Sequence, residues 1–189
     1  MAVDITLDRL KAAVIKLAEL TGENRFVLIG RATLAITAPA PFQEFARSDD
    51  IDLWPEGNED ASLDLCIQQM GEGSPFHIQN GFYVERVGSW TLLTQPAGWG
   101  ERSTKLAFDG IEIIALGLLD LAYNKLEANR QKDRDFLQAA FEAGLIDVQE
   151  IINFIQVHAP NDFVREKLNG NLRNLLGSHP TPTIQHSKF

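Results

Sequence analysis

The chain of 189 residues is 44% hydrophobic, enough for a sizeable buried core and typical of one compact domain with a helical extension. Its formal net charge of −9 argues against indiscriminate binding of nucleic acids, because Lys and Arg must neutralise the phosphates, and we expect no DNA partner. Cys66 is the only cysteine, which excludes an intramolecular disulfide and a multi-cysteine zinc site and favours a cytoplasmic location. We expect no signal peptide and no membrane partner, since charges interrupt the apolar N-terminal stretch and no other stretch is long enough to cross a bilayer.

Helices and buried strands alternate through the first part of the sequence. Apolar side chains that recur about every 3.6 residues predict helices, whereas short runs of branched side chains predict buried strands. In chain order, the predicted elements are a helix from Leu7 to near Gly22 capped by Thr6, a strand at 25–29, a short helix at 32–36, a surface loop at 38–42, a strand at 51–54 and a helix at 60–70.

The middle of the sequence is typical of β-structure, and the last third is typical of helices. Asp109 and Gly110 form a good tight-turn pair between two apolar segments. Strands are predicted at 76–78, 82–84, 90–93 and 111–114, and about four helices are predicted after Gly117, with breaks near 129–130, 144 and 158–160.

This order of elements predicts an α/β (α+β) fold with a small mixed β-sheet. We expect an α/β core at residues 1–116, a helical region at 117–177 packed on that core, and a flexible tail at 178–189.

Asp50 and Asp52 are two residues apart on a predicted strand, so their carboxylates project from one face and can converge on one cation. Mg²⁺ prefers such hard oxygen ligands, commonly together with substrate phosphates. Upstream, Gly30 ends a buried strand and leads into a helix, where backbone amides can approach a phosphate. Taken alone, the acids are more typical of a solvated turn, and the glycine is nearly as typical of a plain strand-to-helix turn.

Taken together, these segments resemble the minimal nucleotidyltransferase superfamily, in which a strand and a glycine turn precede an Asp-x-Asp strand. Ser48 stands where such relatives have Thr or Ser. Downstream segments are similar to bacterial nucleotidyltransferase-like proteins, which include the toxin components of abortive-infection systems. The segments that carry the resemblance are 26–30, 47–53, 90–102, 120–126 and 129–133.

The resemblance implies a site between the sheet and the C-terminal helices. In that site Asp50 and Asp52 are catalytic and bind Mg²⁺, and Lys125 offers a positive charge to the triphosphate while Asp133 orients the lysine or the acceptor. The implied nucleotide-binding residues are Gly30, Arg31, Ser48, Lys125 and Asp133. Without the resemblance, Lys125 and Asp133 are equally well explained as residues of solvated helices with local ion pairs.

Three features depart from the family's pattern. The stretch between Gly30 and Asp50 is longer than in relatives, and the extra length falls in the proline loop around Pro39 to Phe42. Arg31 is bulky where relatives have a second small residue, although its guanidinium suits a phosphate. The family also places a third carboxylate on a later strand, and the best-matching stretch, 90–94, contains none. Glu85, Asp109 and Glu112 are the remaining candidates, and the sequence does not choose among them.

The leading hypothesis is a Mg²⁺-dependent enzyme that transfers a nucleoside monophosphate from a nucleoside triphosphate to an acceptor such as tRNA or a protein. The alternative is a catalytically degenerate binding or regulatory module with the same fold. Such a module could belong to a toxin–antitoxin pair, in which the acidic surface suits a basic protein partner. In a third interpretation the acidic pair is purely structural.

Overall fold

The computed structural model describes residues 2–56, 62–88, 91 and 94–177. The chain forms two compact units, of which the first reaches Leu121 and the second begins at Ala122. Several predictions fall outside the described residues: the start of the helix at 60–70, most of the strand at 90–93, and the tail at 178–189.

The first unit contains a five-stranded mixed β-sheet, a separate two-stranded sheet and helices of different lengths. Its strands are β1 (Val3–Asp4), β2 (Arg25–Ile29), β3 (Arg47–Ser48), β4 (Asp50–Pro55), β5 (Tyr83–Arg86), β6 (Thr104–Phe108) and β7 (Ile111–Ala115). Its helices are α1 (Leu7–Thr21), α2 (Leu34–Thr37), α3 (Ser62–Gln68), α4 (Pro75–Asn80) and α5 (Trp99–Arg102), with 3₁₀ turns at Arg31–Thr33 and Ala40–Ala46. The predicted α/β fold with a mixed sheet is confirmed.

The five-stranded sheet has the order β5-β4-β2-β7-β6. Strand β2 pairs antiparallel with β4 and parallel with β7, and β5 joins the sheet through parallel pairing with β4. Ile51 and Leu53 are completely buried and alternate along β4 with the half-buried Asp50 and Asp52. Since successive side chains of a strand point to opposite faces, the apolar pair fixes the face from which the carboxylates project.

Four helices follow the sheet within residues 118–177, where the sequence predicted about four. They are α6 (Leu118–Ala128), which crosses the boundary between the units, α7 (Gln131–Glu142), α8 (Val148–His158) and α9 (Asp162–Gly177). Within the second unit, the ring of Tyr123 on α6 packs edge-on against Phe154 on α8, and the side-chain amide of Asn171 on α9 donates a hydrogen bond to the carbonyl of Leu126. Across the described ranges, no helix combines the length and apolar character needed to cross a membrane.

The strand predicted at 76–78 is wrong, because these residues belong to α4. The Ser74 hydroxyl accepts a hydrogen bond from the backbone N–H of His77, Pro75 opens the first turn, and Gly81 ends the helix with a φ of 76°. These capping residues outweigh the β-propensity of the aromatic and branched side chains between them. The loop predicted at 38–42 is also partly wrong, since a 3₁₀ helix begins at Ala40, directly after Pro39.

The hairpin of β6 and β7 turns at the predicted pair, where Asp109 has a φ of 48° and Gly110 a φ of 77°. We expect Gly110→Ala to lower the free energy of unfolding by about 1 kcal/mol, because an L side chain resists this left-handed conformation. A Cβ at Gly110 meets no atom within 4 Å, so the cost comes from the backbone alone. Urea denaturation measures the effect.

Gly100→Ala is the matched control, since a Cβ there also meets open space and the residue lies in α5 without a left-handed φ. It should leave stability unchanged or slightly raised. Equal losses in the two variants would contradict the backbone explanation.

Candidate active site

Asp50 and Asp52 project from the same face of β4, and each has a close neighbour from another segment. The hydroxyl of the buried Ser48 donates a hydrogen bond to Oδ1 of Asp50 at 2.7 Å. Ser48, which the resemblance assigned to the nucleotide, is therefore placed to orient a carboxylate. Sequence reasoning did not identify this contact, although the spacing of the two residues is short enough to allow it.

A third carboxylate joins the pair from the edge strand β5. The parallel register aligns Glu85 with Asp52, and one ligand oxygen from each of Asp50, Asp52 and Glu85 lies within 4.8 Å of the other two. These three residues are called the acidic trio below. Of the other candidates, Asp109 occupies the hairpin turn, and Glu112 forms an ion pair with Arg25 at 2.9 Å.

The donor set of the acidic trio fits a hard divalent cation. All three ligands are carboxylates, two half-buried and one exposed, and carboxylate oxygens are the ligands that Mg²⁺ takes from proteins. The trio would leave coordination positions for water or phosphate oxygens, since Mg²⁺ is usually bound through only a few protein carboxylates.

Gly30 lies directly against the trio, because the antiparallel register of β2 and β4 pairs the preceding Ile29 with Asp52. Its φ is 69°, and a Cβ at this position would lie 2.4 Å from Oδ2 of Asp52. The Thr33 hydroxyl donates a hydrogen bond to the Gly30 carbonyl at 2.8 Å and fixes the turn. Arg31, half-buried, follows in the same 3₁₀ turn. Glycine is thus needed here both for its conformation and for the space that the carboxylate occupies.

The electrostatic environment of the trio is strongly negative. Tyr83 on β5 is aligned with Asp50, and burial together with the charges of Asp50, Glu85, Glu72 and Asp49 raises the pKa of its phenol to about 12. The phenol therefore stays protonated at neutral pH, and the same field favours the arrival of a cation.

Lys125 and Asp133, which the sequence also predicted, are in direct contact within the second unit. The Lys125 ammonium lies 2.9 Å from Oδ1 of Asp133, and Arg130 Nε lies 2.7 Å from Oδ2. Asp133 is completely buried at the start of α7 and accepts a further hydrogen bond from the Arg130 backbone N–H. Burial raises the pKa of the Asp133 carboxyl, but the hydrogen bonds and charges of Arg130 and Lys125 outweigh it and hold the pKa below its usual value.

A glycine turn beside three carboxylates on two neighbouring strands of a mixed sheet is the kind of site that the resemblance to nucleotidyltransferases implies. Residues 6–171 match a family described as nucleotidyltransferase of unknown function (DUF6036), and the chain belongs to that family. Comparisons with curated proteins and with solved structures give no match. The predicted family is therefore confirmed by a match that spans most of the chain.

We expect Gly22→Ala to destabilise the fold by about 1 kcal/mol, because this glycine has a left-handed φ. Gly30→Ala should destabilise it more, because Gly30 combines a φ of 69° with a ψ of −165°, a conformation essentially restricted to glycine, and the new methyl group meets Asp52. Only Gly30→Ala should also weaken Mn²⁺ binding, by roughly tenfold or more, since the new methyl group forces the Asp52 carboxylate to move. A Cβ at Gly22 meets no atom within 4 Å. Calorimetric titration with Mn²⁺ measures the difference, and equal affinities in the two variants would contradict the role of Gly30.

We expect Asp133→Asn to lower the free energy of unfolding at pH 7 by about 3 kcal/mol, because it leaves a partly buried lysine without its counter-charge. The folded-state pKa of Asp133 is depressed, so its contribution is fully present above the unfolded value of about 3.9 and is lost as the pH falls through the folded value. Urea denaturation between pH 7 and pH 3 should therefore show the two proteins converging in acid. A constant difference across this range would exclude the ionised carboxylate as the cause.

Proposed function

We propose that the chain is a Mg²⁺-dependent nucleotidyltransferase that moves a nucleoside monophosphate from a nucleoside triphosphate to a hydroxyl acceptor. The observation that carries the proposal is the acidic trio, which gathers three carboxylates beside the Gly30 turn. Family membership supports the reaction class, and the trio supports the dependence on a divalent cation.

Asp50, Asp52 and Glu85 would hold the cation, and the cation would neutralise the phosphate oxygens as negative charge develops on them. The chain itself contributes orientation. Ser48 fixes one oxygen of Asp50, and the absence of a side chain at Gly30 leaves the space that the Asp52 carboxylate occupies.

In the proposed reaction, the acceptor oxygen attacks the α-phosphorus and a new O–P bond forms. The bond from that phosphorus to the oxygen bridging to the β-phosphate breaks, and pyrophosphate leaves with the electron pair. The proposed role of Asp133 is to hold the Lys125 ammonium in one position within the second unit.

Glu85 also supports the transferase over the degenerate binding module. The degenerate binding module was favoured by the absence of a third carboxylate from residues 90–94. Because Glu85 supplies one from a different strand, that argument no longer separates this chain from active relatives. We therefore prefer the transferase, with Arg31 as a further cation at the phosphates.

We expect the wild-type protein to bind at least one of the four nucleoside triphosphates in a Mg²⁺-dependent manner. Asp50→Asn, Asp52→Asn and Glu85→Gln should each lower transfer of label from an α-³²P-labelled triphosphate by at least about 100-fold, because each removes a ligand of the cation. Calorimetry with each triphosphate and Mg²⁺ measures binding separately from transfer.

Asp109→Asn is the matched control, since it removes the same charge outside the trio. Asp109 lies in the turn between β6 and β7, and β6 forms the edge of the sheet opposite β5. Asn also tolerates the left-handed φ of this position. Failure of all four triphosphates to bind, or binding and transfer that the trio substitutions leave unchanged, would refute the proposed function.

A further inference from the structure

A cavity of about 320 Å³ opens beside the acidic trio, between β5 and the segment formed by α3 and the turn that follows it. Tyr83, Glu85 and Arg86 line it from β5, and Asp64 and Glu72 line it from the other side. Glu85 belongs both to the trio and to the cavity wall, so a molecule in the cavity can reach the site where the cation would be held. The volume suits a small molecule or one or two side chains of a peptide.

The cavity wall carries an excess of negative charge. Among the described residues that line it, Arg86 is the one cation, and it already forms an ion pair with Asp64 at 2.6 Å. Neither Glu72 nor Glu85 has a cationic partner in the described part of the chain, although Glu85 would face the divalent cation of the proposed function. An anionic ligand would therefore meet repulsion at Glu72, whereas a protonated amine would find there a carboxylate that no described cation neutralises.

The sheet order assigns the cavity to one end of the proposed reaction. Gly30 at the end of β2 and Glu85 on β5 lie on opposite sides of β4, which carries Asp50 and Asp52. In an in-line displacement, the attacking and leaving oxygens lie on opposite sides of the phosphorus. If the leaving pyrophosphate lies at Gly30, the acceptor approaches from the side of Glu85, where the cavity opens.

We propose that this cavity binds the acceptor, and that the acceptor is a hydroxyl compound carrying a protonated amine rather than an RNA. The inference rests on the proposed function and names the substrate class of the same site. The oxygen of the acceptor hydroxyl forms the new O–P bond as its O–H bond breaks, the proton passes to solvent water, and pyrophosphate leaves at the opposite side with the electron pair of the broken P–O bond. Glu72 contributes affinity for the amine and takes no part in the bond changes.

The test begins with binding in the absence of nucleotide, using the full chain at low salt. The probes are 1,3-diamino-2-propanol, the peptide KKSKK, its acidic counterpart EESEE and an octaadenylate RNA, so that a small molecule and a basic peptide are distinguished as sources of the same chemistry. Calorimetry should give binding of at least one cationic probe and none of EESEE or the RNA. Glu72→Gln should weaken that binding by roughly three- to fivefold, and Glu72→Lys should weaken it further.

Glu44→Gln is the matched control, because Glu44 is exposed in the 3₁₀ helix Ala40–Ala46 and does not line this cavity. In transfer assays with a labelled triphosphate and Mg²⁺, Glu72→Gln should raise the KM for the cationic acceptor and leave kcat unchanged. Binding of KKSKK that is insensitive to Glu72→Lys, equal binding of KKSKK and EESEE, or label accepted by the RNA in preference to both amines would each overturn the inference. Absence of triphosphate binding would instead overturn the proposed function. The two failures can be distinguished, because binding of the amines is measured without nucleotide.

Discussion

The register of β4 between its two neighbours is the constraint on which the candidate site depends. Asp52 is paired with Ile29 across the antiparallel ladder and with Glu85 across the parallel one. A shift of one residue would turn Ile51 and Leu53 outward and both aspartates into the core, which is too costly to occur. Complete burial of these two apolar side chains therefore fixes the position of the carboxylates, and with it their contact with the Gly30 turn.

This register brings carboxylates close together, and their mutual repulsion lowers the stability of the folded state. The raised pKa of the Tyr83 phenol reflects the same crowding, since four carboxylates act on it in addition to burial. Like charges that are held close together despite their repulsion are common at functional sites, where a bound ligand relieves the repulsion. In the proposed function, a divalent cation relieves the repulsion between the carboxylates. Until the cation binds, burial of Ile51 and Leu53 on β4 offsets the free-energy cost of that repulsion.

Local signals in the sequence were sufficient for much of this site. The alternation of polar and apolar residues predicted that Asp50 and Asp52 share a face, and the branched run before Gly30 predicted the strand that ends there. Glu85 could not be chosen from three candidates, because its contact with Asp52 depends on a parallel pairing between strands separated by two helices. The helix at Pro75–Asn80 was mistaken for a strand because its capping residues lie outside the apolar stretch that suggested β-structure.

The acidic residues of this protein fall into two groups according to their partners. Those that pair with a cation of the chain stabilise the fold, and those that do not are available to a ligand. Asp120 is buried under two hydrogen bonds from Arg102, and Asp133 is buried between Lys125 and Arg130, so both carboxylates are neutralised within the protein. Asp50 and Glu85 have no ion-pair partner among the described residues, yet the fold holds them beside Asp52. Because two members of the trio lie beside Asp52 without an ion-pair partner in the described part of the chain, their negative charge is consistent with the divalent cation of the proposed function.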